Sequence, residues 1–230
     1  MLVMLFDTET DGLIINSASQ EQPRLVEIFC LVIEQTGEGE CAQFREHSSF
    51  YSLVDPQRKI QEDVIKIHNI DNTMVQQKPT FAAIAPKLID IINAVDRVVA
   101  HNVMFDADIL NIEFVRAGMV APDWPELLCT VEQTEHWFQK RLSLGTNRKG
   151  QPGLYQILFN EDFKDAHRAE ADVRALARCY QQCERMGWNY DQISQAGAGQ
   201  RDTAATAGET GKRDQGIFPL SVLHSGTASG

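Results

Sequence analysis

Two carboxylates one residue apart, Asp7 and Glu9, stand where the apolar run Leu2–Asp7 ends. With 32 Asp and Glu among 230 residues, a carboxylate-x-carboxylate pair is expected by chance roughly four times, and Asp106/Asp108 and Glu170/Asp172 are other instances. Placement sets the first pair apart. Side chains at i and i+2 of a strand share a face, so Asp7 and Glu9 would hold two like charges side by side. That is costly without a cation between them, and the pair therefore suits a divalent metal. A solvated strand end is the plain alternative. Two further stretches bear chemistry. In Val99-Ala-His-Asn-Val-Met-Phe-Asp106 an apolar strand runs into the helix carrying Asp106. In His167-Arg-Ala-Glu-Ala-Asp172 a histidine lies just before or within the first turn of the helix bearing Asp172. Taken singly, Asp106 also reads as a helix cap or a solvated residue, and a lone histidine near a helix start is more often structural than catalytic.

The elements that must position these groups follow from periodicity and punctuation. Leu2–Asp7 reads as a central strand, Arg24–Glu34 as a second, and Cys41 to Leu53 as a weaker third after a turn over Thr36–Glu40. Ile60–Ile67 has helical spacing, and Pro79 to Ala94 reads as a longer helix with a kink or break near Pro86. Arg97–His101 is another short strand, Phe105–Ala117 an amphipathic helix stopped by Gly118, and Leu127–Thr130 precedes a helix to about Phe138. A loop from Gln139 to Gly153 carries Lys140, Arg141, Arg148 and Lys149 and no acid. Ala169–Met186 is the last strong helix, stopped by Gly187. Strands first, then helices alternating with strands, predict an α/β fold with a mixed central sheet flanked by helices.

Bulk composition narrows the class. With 43% hydrophobic and 23% charged residues, the chain reads as globular. No apolar run approaches the roughly 20 residues of a membrane span, and Met1–Phe6 is too short for a signal peptide and lacks a basic flank. Cys30, Cys41, Cys129, Cys179 and Cys183 form no Cys-x-x-Cys pair and read as reduced core residues of a cytoplasmic protein, with no membrane partner. The net charge of −11 argues against a protein that grips phosphates with its own basic residues. A nuclease working through carboxylate-bound cations escapes that objection, because the ions supply the positive charge.

In this order, Phe6-Asp-Thr-Glu-Thr-Asp-Gly-Leu13, His101-Asn-x-x-Phe-Asp106 and His167-x-Ala-x-x-Asp172 resemble the DEDDh 3′–5′ exonucleases. That family includes the proofreading epsilon subunit of bacterial DNA polymerase III and the exonuclease X type enzymes. The resemblance spans about residues 1–186. Ile67-His-Asn-Ile70 is similar to the family's His-Gly-Ile segment, with Asn69 in place of the glycine, and Pro79-Thr-Phe81 opens the next helix as the family does. The resemblance implies a ribonuclease H-like fold and hydrolysis of DNA from single-stranded or frayed 3′ ends to nucleoside 5′-monophosphates. It implies that Asp7, Glu9, Asp106 and Asp172 hold two Mg²⁺ or Mn²⁺ ions, Asp7 bridging them, and that His167 is the general base. Histidine suits that task because it titrates near neutral pH.

The resemblance also suggests how a 3′ end is held. Thr8 and Thr10 would contact the terminal nucleotide through backbone N–H groups, while Leu13 and Phe105 would wedge and stack against the last bases. Such stacking is worth roughly 1–3 kcal/mol per base; core packing is the competing reading for both. His68 and Asn102 would line the pocket, and the basic loop would reach upstream phosphates. RNA trimming is the alternative substrate, though the first motif departs from the Asp-x-Glu-Met-Thr-Gly-Leu usual in oligoribonucleases. A non-catalytic module binding a polymerase or a nucleic-acid end is the alternative of another class. It should have lost a ligand, and every ligand is present.

The expected catalytic domain covers residues 1–190. Residues 191–230 read as a flexible Gly/Ala/Thr-rich tail, interrupted by the apolar island Gln215-Gly-Ile-Phe-Pro-Leu-Ser-Val-Leu223. A linker ending in such an island is one way to tether a catalytic domain to a larger machine, here a DNA polymerase or a sliding clamp. Truncation after Trp188–Tyr190 is expected to leave a folded domain that digests short oligonucleotides at the full-length rate. Loss of that activity would make the tail part of the domain.

Overall fold

A computed structural model of the chain describes residues 1–15, 22–134, 151–161 and 167–187. The expected helix end near Phe138, the basic residues Lys140, Arg141, Arg148 and Lys149, and the tail 191–230 lie outside the described residues. Strand β1 (Leu2–Thr10) pairs antiparallel with β2 (Leu25–Thr36), which pairs antiparallel with β3 (Gln43–Leu53). On its other side β1 runs parallel to β4 (Arg97–Ala100), and β4 parallel to β5 (Glu126–Cys129), giving the order β3-β2-β1-β4-β5. The sheet is thus mixed, as the order of elements predicts. Strand β1 runs on past Asp7, so Asp7 and Glu9 both belong to it, and its pairing with β2 slips between Glu9 and Thr10.

Register sorts the core into two layers. Met4 and Phe6 of β1 share a face with Ile28, Cys30 and Val32 of β2 and pack against helices α3 (Phe81–Asn93) and α4 (Val103–Arg116). Val3 and Leu5 share the other face with Phe29, Leu31 and Ile33, under helix α6 (Ala169–Arg185). Strand β2 is buried on both faces, which is why it reads as a nearly continuous apolar run rather than an alternation.

Helix ends follow local chemistry. Helix α4 stops in a Schellman turn: Gly118 adopts φ +71°, Gly118 N–H donates to Val115 (3.0 Å) and Met119 N–H to Phe114 (2.9 Å). Short helices α1 (Glu62–His68) and α2 (Asn72–Val75) join β3 to α3, and α2 has no counterpart in the sequence reading. Helix α3 continues through Pro86 rather than breaking there. Part of the expected loop is helical: α5 (Gln151–Phe159) takes in Gln151 to Gly153. Proline at 152 falls in its first turn, where a missing N–H costs nothing. Four of the cysteines are buried and unpaired, but Cys41 is exposed, beside β3 rather than within it, so the core reading fails for that residue. Among the described residues no helix is long and apolar enough to cross a membrane.

Phe114 is fully buried and meets Phe81 edge-on, with ring centroids 5.0 Å apart. Phe114→Ala is expected to lower unfolding free energy by roughly 3–5 kcal/mol, read from urea denaturation. A loss below about 1 kcal/mol would mean that α4 is not packed in this way.

Candidate active site

Three elements deliver the acidic side chains to one end of the sheet. Strand alternation puts Asp7 and Glu9 on the α6 face of β1, continuing the line of Val3 and Leu5. Asp172 comes from the first turn of α6. Oxygens of Asp7, Glu9 and Asp172 all lie within 4.8 Å of one another, which suits a shared cation. Asp106 comes from the first turn of α4, on the opposite side of β1. It reaches Thr8, whose side chain points to that side, and accepts from both Thr8 N–H (3.0 Å) and Thr8 Oγ1–H (2.6 Å). Asp106 and Asp172 both sit at helix N-termini, whose partial positive charge favours carboxylates.

Burial and crowding dominate the electrostatics. Asp7 is raised well above the usual carboxylate range by burial, then by Asp106, Glu9 and Asp172. Glu9 rises to about 8, from burial and then the neighbouring Asp172 and Glu27. Burial lifts Asp106 to about 7 against the two Thr8 hydrogen bonds. It lifts Asp172 to about 6, opposed by the backbone N–H groups and charge of the His167–Arg168 segment. Carboxylates held this close resist ionisation unless cations join them, so this donor set fits divalent cations.

His167 is exposed, two residues ahead of α6, and adopts a left-handed φ of 66°. It lies near enough to Asp172 to act on that carboxylate's ionisation. The turn is fixed by Arg168 N–H donating to Asp172 Oδ2 at 3.1 Å and Ala169 N–H donating to Glu27 Oε2 at 2.9 Å.

The expected nucleotide-contacting residues divide. Leu13 is 78% exposed, so core packing does not account for it, whereas Phe105 is partly buried against the α3–α4 core. Thr8 N–H is already committed to Asp106 and is not free for a nucleotide. Thr10 is buried, its hydroxyl donating to the Gly12 carbonyl at 2.6 Å. Asp11 anchors the loop after β1, accepting from Arg24 N–H (2.7 Å) and pairing with Arg58. His68 is 1% exposed rather than lining an open pocket. Its Nδ1 accepts from Ile70 N–H at 2.9 Å, and burial lowers its pKa, opposed by the Thr10 backbone. Asn102 occupies the left-handed N-cap of α4, a conformation asparagine tolerates better than most residues. Glu27, on β2 opposite Glu9, was missed. Its signal was a lone carboxylate inside the apolar run Leu25–Ile33.

An acidic centre at a sheet end, fed by two helix N-termini and flanked by an exposed histidine, defines a hydrolase of the carboxylate-centred nuclease class. The chain belongs to the exonuclease family, whose model matches residues 4–180. It is 34% identical over 175 residues to the DNA polymerase III subunit epsilon of Treponema pallidum, covering 76% of this chain and 73% of that protein. Two solved structures share the fold. Exonuclease X in complex with 5′ overhanging duplex DNA aligns at TM-score 0.55 and 22% identity, over 84% of this chain and 98% of that one. The nuclease domain of 3′hExo, a DEDDh family member bound to rAMP, aligns at TM-score 0.60 and 13% identity, over 79% and 90%. The fold is therefore the ribonuclease H-like one that the motifs imply.

The raised carboxylates fix the sign of a stability experiment. A group held above its unfolded value near 4 favours the folded state at low pH, and that advantage is lost as pH rises through the folded values of about 6 to 8. In EDTA the melting temperature is expected to fall between pH 5.5 and 8.5, and Mn²⁺ to restore it at the upper end. Asp7→Asn should raise the metal-free midpoint at pH 8 by roughly 2–8 °C, the shift that ~1–2 kcal/mol gives in a domain of this size. A destabilised Asp7→Asn would contradict the repulsive site.

Proposed function

We propose that this protein is a two-metal 3′–5′ exonuclease that hydrolyses DNA at single-stranded or frayed 3′ ends to nucleoside 5′-monophosphates. The observation that carries the reading is the convergence of Asp7, Glu9 and Asp172 oxygens within 4.8 Å, with Asp106 beside them. Asp7, Glu9, Asp106 and Asp172 would hold two Mg²⁺ or Mn²⁺ ions. Such ions, when bound, polarise the scissile phosphate, lower the pKa of the attacking water and offset charge on the leaving oxygen. His167 takes the proton from that water as its oxygen bonds to phosphorus. The P–O3′ bond breaks, O3′ takes a proton from solvent water to leave a 3′-hydroxyl on the shortened strand, and the released nucleotide keeps the phosphate. Leu13, exposed at the end of the Asp11-anchored loop, supplies the apolar surface against which the last base rests, with Phe105.

DNA is the preferred substrate because the first motif lacks the oligoribonuclease form and the 34%-identical relative is named as a DNA polymerase subunit. The same relationship supports a cytoplasmic role in proofreading, repair or replication with a DNA polymerase as partner. The domain extends over residues 1–190, and the tail 191–230 with its island 215–223 is the candidate tether to a polymerase or clamp.

The test is digestion of 5′-labelled single-stranded DNA and RNA of one sequence with Mg²⁺, Mn²⁺ or EDTA. The expected result is a metal-dependent ladder shortening from the 3′ end, faster on DNA, absent in EDTA and in Asp7→Ala. His167→Ala should lower kcat by about 10²–10⁴-fold, the usual worth of a positioned base. A folded, metal-binding protein that cleaves neither strand would overturn the reading, and faster cleavage of RNA would replace the substrate.

A further inference from the structure

Glu27 is 1% exposed and lies on the same face of β2 as Phe29, Leu31 and Ile33, which pack under α6. A carboxylate there is expensive unless fully compensated, and all but one of its hydrogen bonds come from the two residues after His167. Arg168 Nη2 donates to Glu27 Oε1 at 2.6 Å and Arg168 Nε to both oxygens at 3.2 Å. Ala169 N–H donates to Oε2 at 2.9 Å, and Tyr51 O–H to Oε1 at 2.9 Å. Helix α6 has no side-chain cap of its own at Arg168. Glu27 supplies one from the sheet, 142 residues away in sequence.

The arrangement has a consequence at position 167. Drawing the Arg168 side chain down onto β2 while Asp172 takes Arg168 N–H clamps the backbone immediately after His167 from two sides. The left-handed φ of 66° at His167 is a conformation that costs a non-glycine residue roughly 1–3 kcal/mol, and it persists where its neighbours are over-determined in this way. We propose that Glu27, acting through Arg168 and Ala169, is a positioning residue that holds His167 in the turn its catalytic role requires. The inference rests on the assignment of His167 as the base.

The test is a double-mutant cycle on the full-length protein with Mn²⁺ and a 5′-labelled DNA oligonucleotide, using Glu27→Gln, His167→Ala and both together. Glu27→Gln is expected to lower kcat by about 10–100-fold with KM within about 2-fold. Mn²⁺ affinity by calorimetry should stay within about 3-fold, and amide hydrogen exchange over residues 167–172 should accelerate. In the His167→Ala background the same change should alter kcat by less than about 3-fold. An equal loss in both backgrounds, or unchanged exchange at 167–172, would overturn the proposal. If His167→Ala alone leaves kcat untouched, the base assignment fails first and the positioning role falls with it. Should Glu27→Gln not fold, Arg168→Lys, which keeps the charge but loses the two-pronged contact, runs the same cycle with the same expected and overturning results.

Discussion

Carboxylate oxygens of three different residues within 4.8 Å of one another impose a repulsion that the surrounding structure must answer. Two unit charges about 5 Å apart repel by roughly 3 kcal/mol at an effective dielectric near 20, and burial removes the water that would screen them. The protein answers in several ways. Protons are retained to unusually high pH on Glu9, Asp106 and Asp172. Asp106 and Asp172 are set in first helical turns, where unpaired N–H groups concentrate. Thr8 spends both its donors on Asp106, and Arg168 N–H goes to Asp172. Retained protons neutralise part of the charge at neutral pH, and the hydrogen bonds hold the carboxylates in place without neutralising them. The hydrogen bonds fix the geometry of the cluster, so stability is given up locally to keep the carboxylates together.

What was legible in the sequence and what was not divide along physical lines. The clustered carboxylates were legible because each sits near a junction that sequence marks well: a strand end, a strand running into a helix, a helix start. Two-residue spacing fixed the shared face of Asp7 and Glu9 without any tertiary information. Glu27 was illegible for the opposite reason. A charge inside an apolar run signals that a partner exists, but the partner lies 141 residues away and only folding identifies it. Helix α5 was hidden by Pro152 and Gly153, which read as a loop although the first turn of a helix tolerates proline. Pro86 misled in the same direction, because α3 buries Phe81, Ala85, Leu88 and Ile92 and packing holds the helix through the missing hydrogen bond. His68 and Thr8 were read as nucleotide contacts, but their polar groups turn inward to the protein's own backbone and Asp106.

Strand β1 is where the two layers of the core have to agree. Its even-numbered residues belong to the α3–α4 layer and its odd-numbered ones to the α6 layer, so Asp106 and Asp172 arrive from opposite sides of the sheet. Their positions have to be tied through β1. Thr8 makes one tie: it lies between Asp7 and Glu9 in the strand, points to the α4 side, and fixes Asp106 with two hydrogen bonds. On the α6 side the corresponding tie runs from Glu27, opposite Glu9, to the first residues of α6. Both ties therefore meet at the Asp7–Glu9 stretch of β1, directly through Thr8 and across the β1–β2 ladder through Glu27. For a chain of net charge −11 this rigidity matters more than it would for a basic nuclease. On the proposed reading, most of its attraction for a phosphate would come from cations held at one point, so substrate would be recruited only where the ligands are already in register.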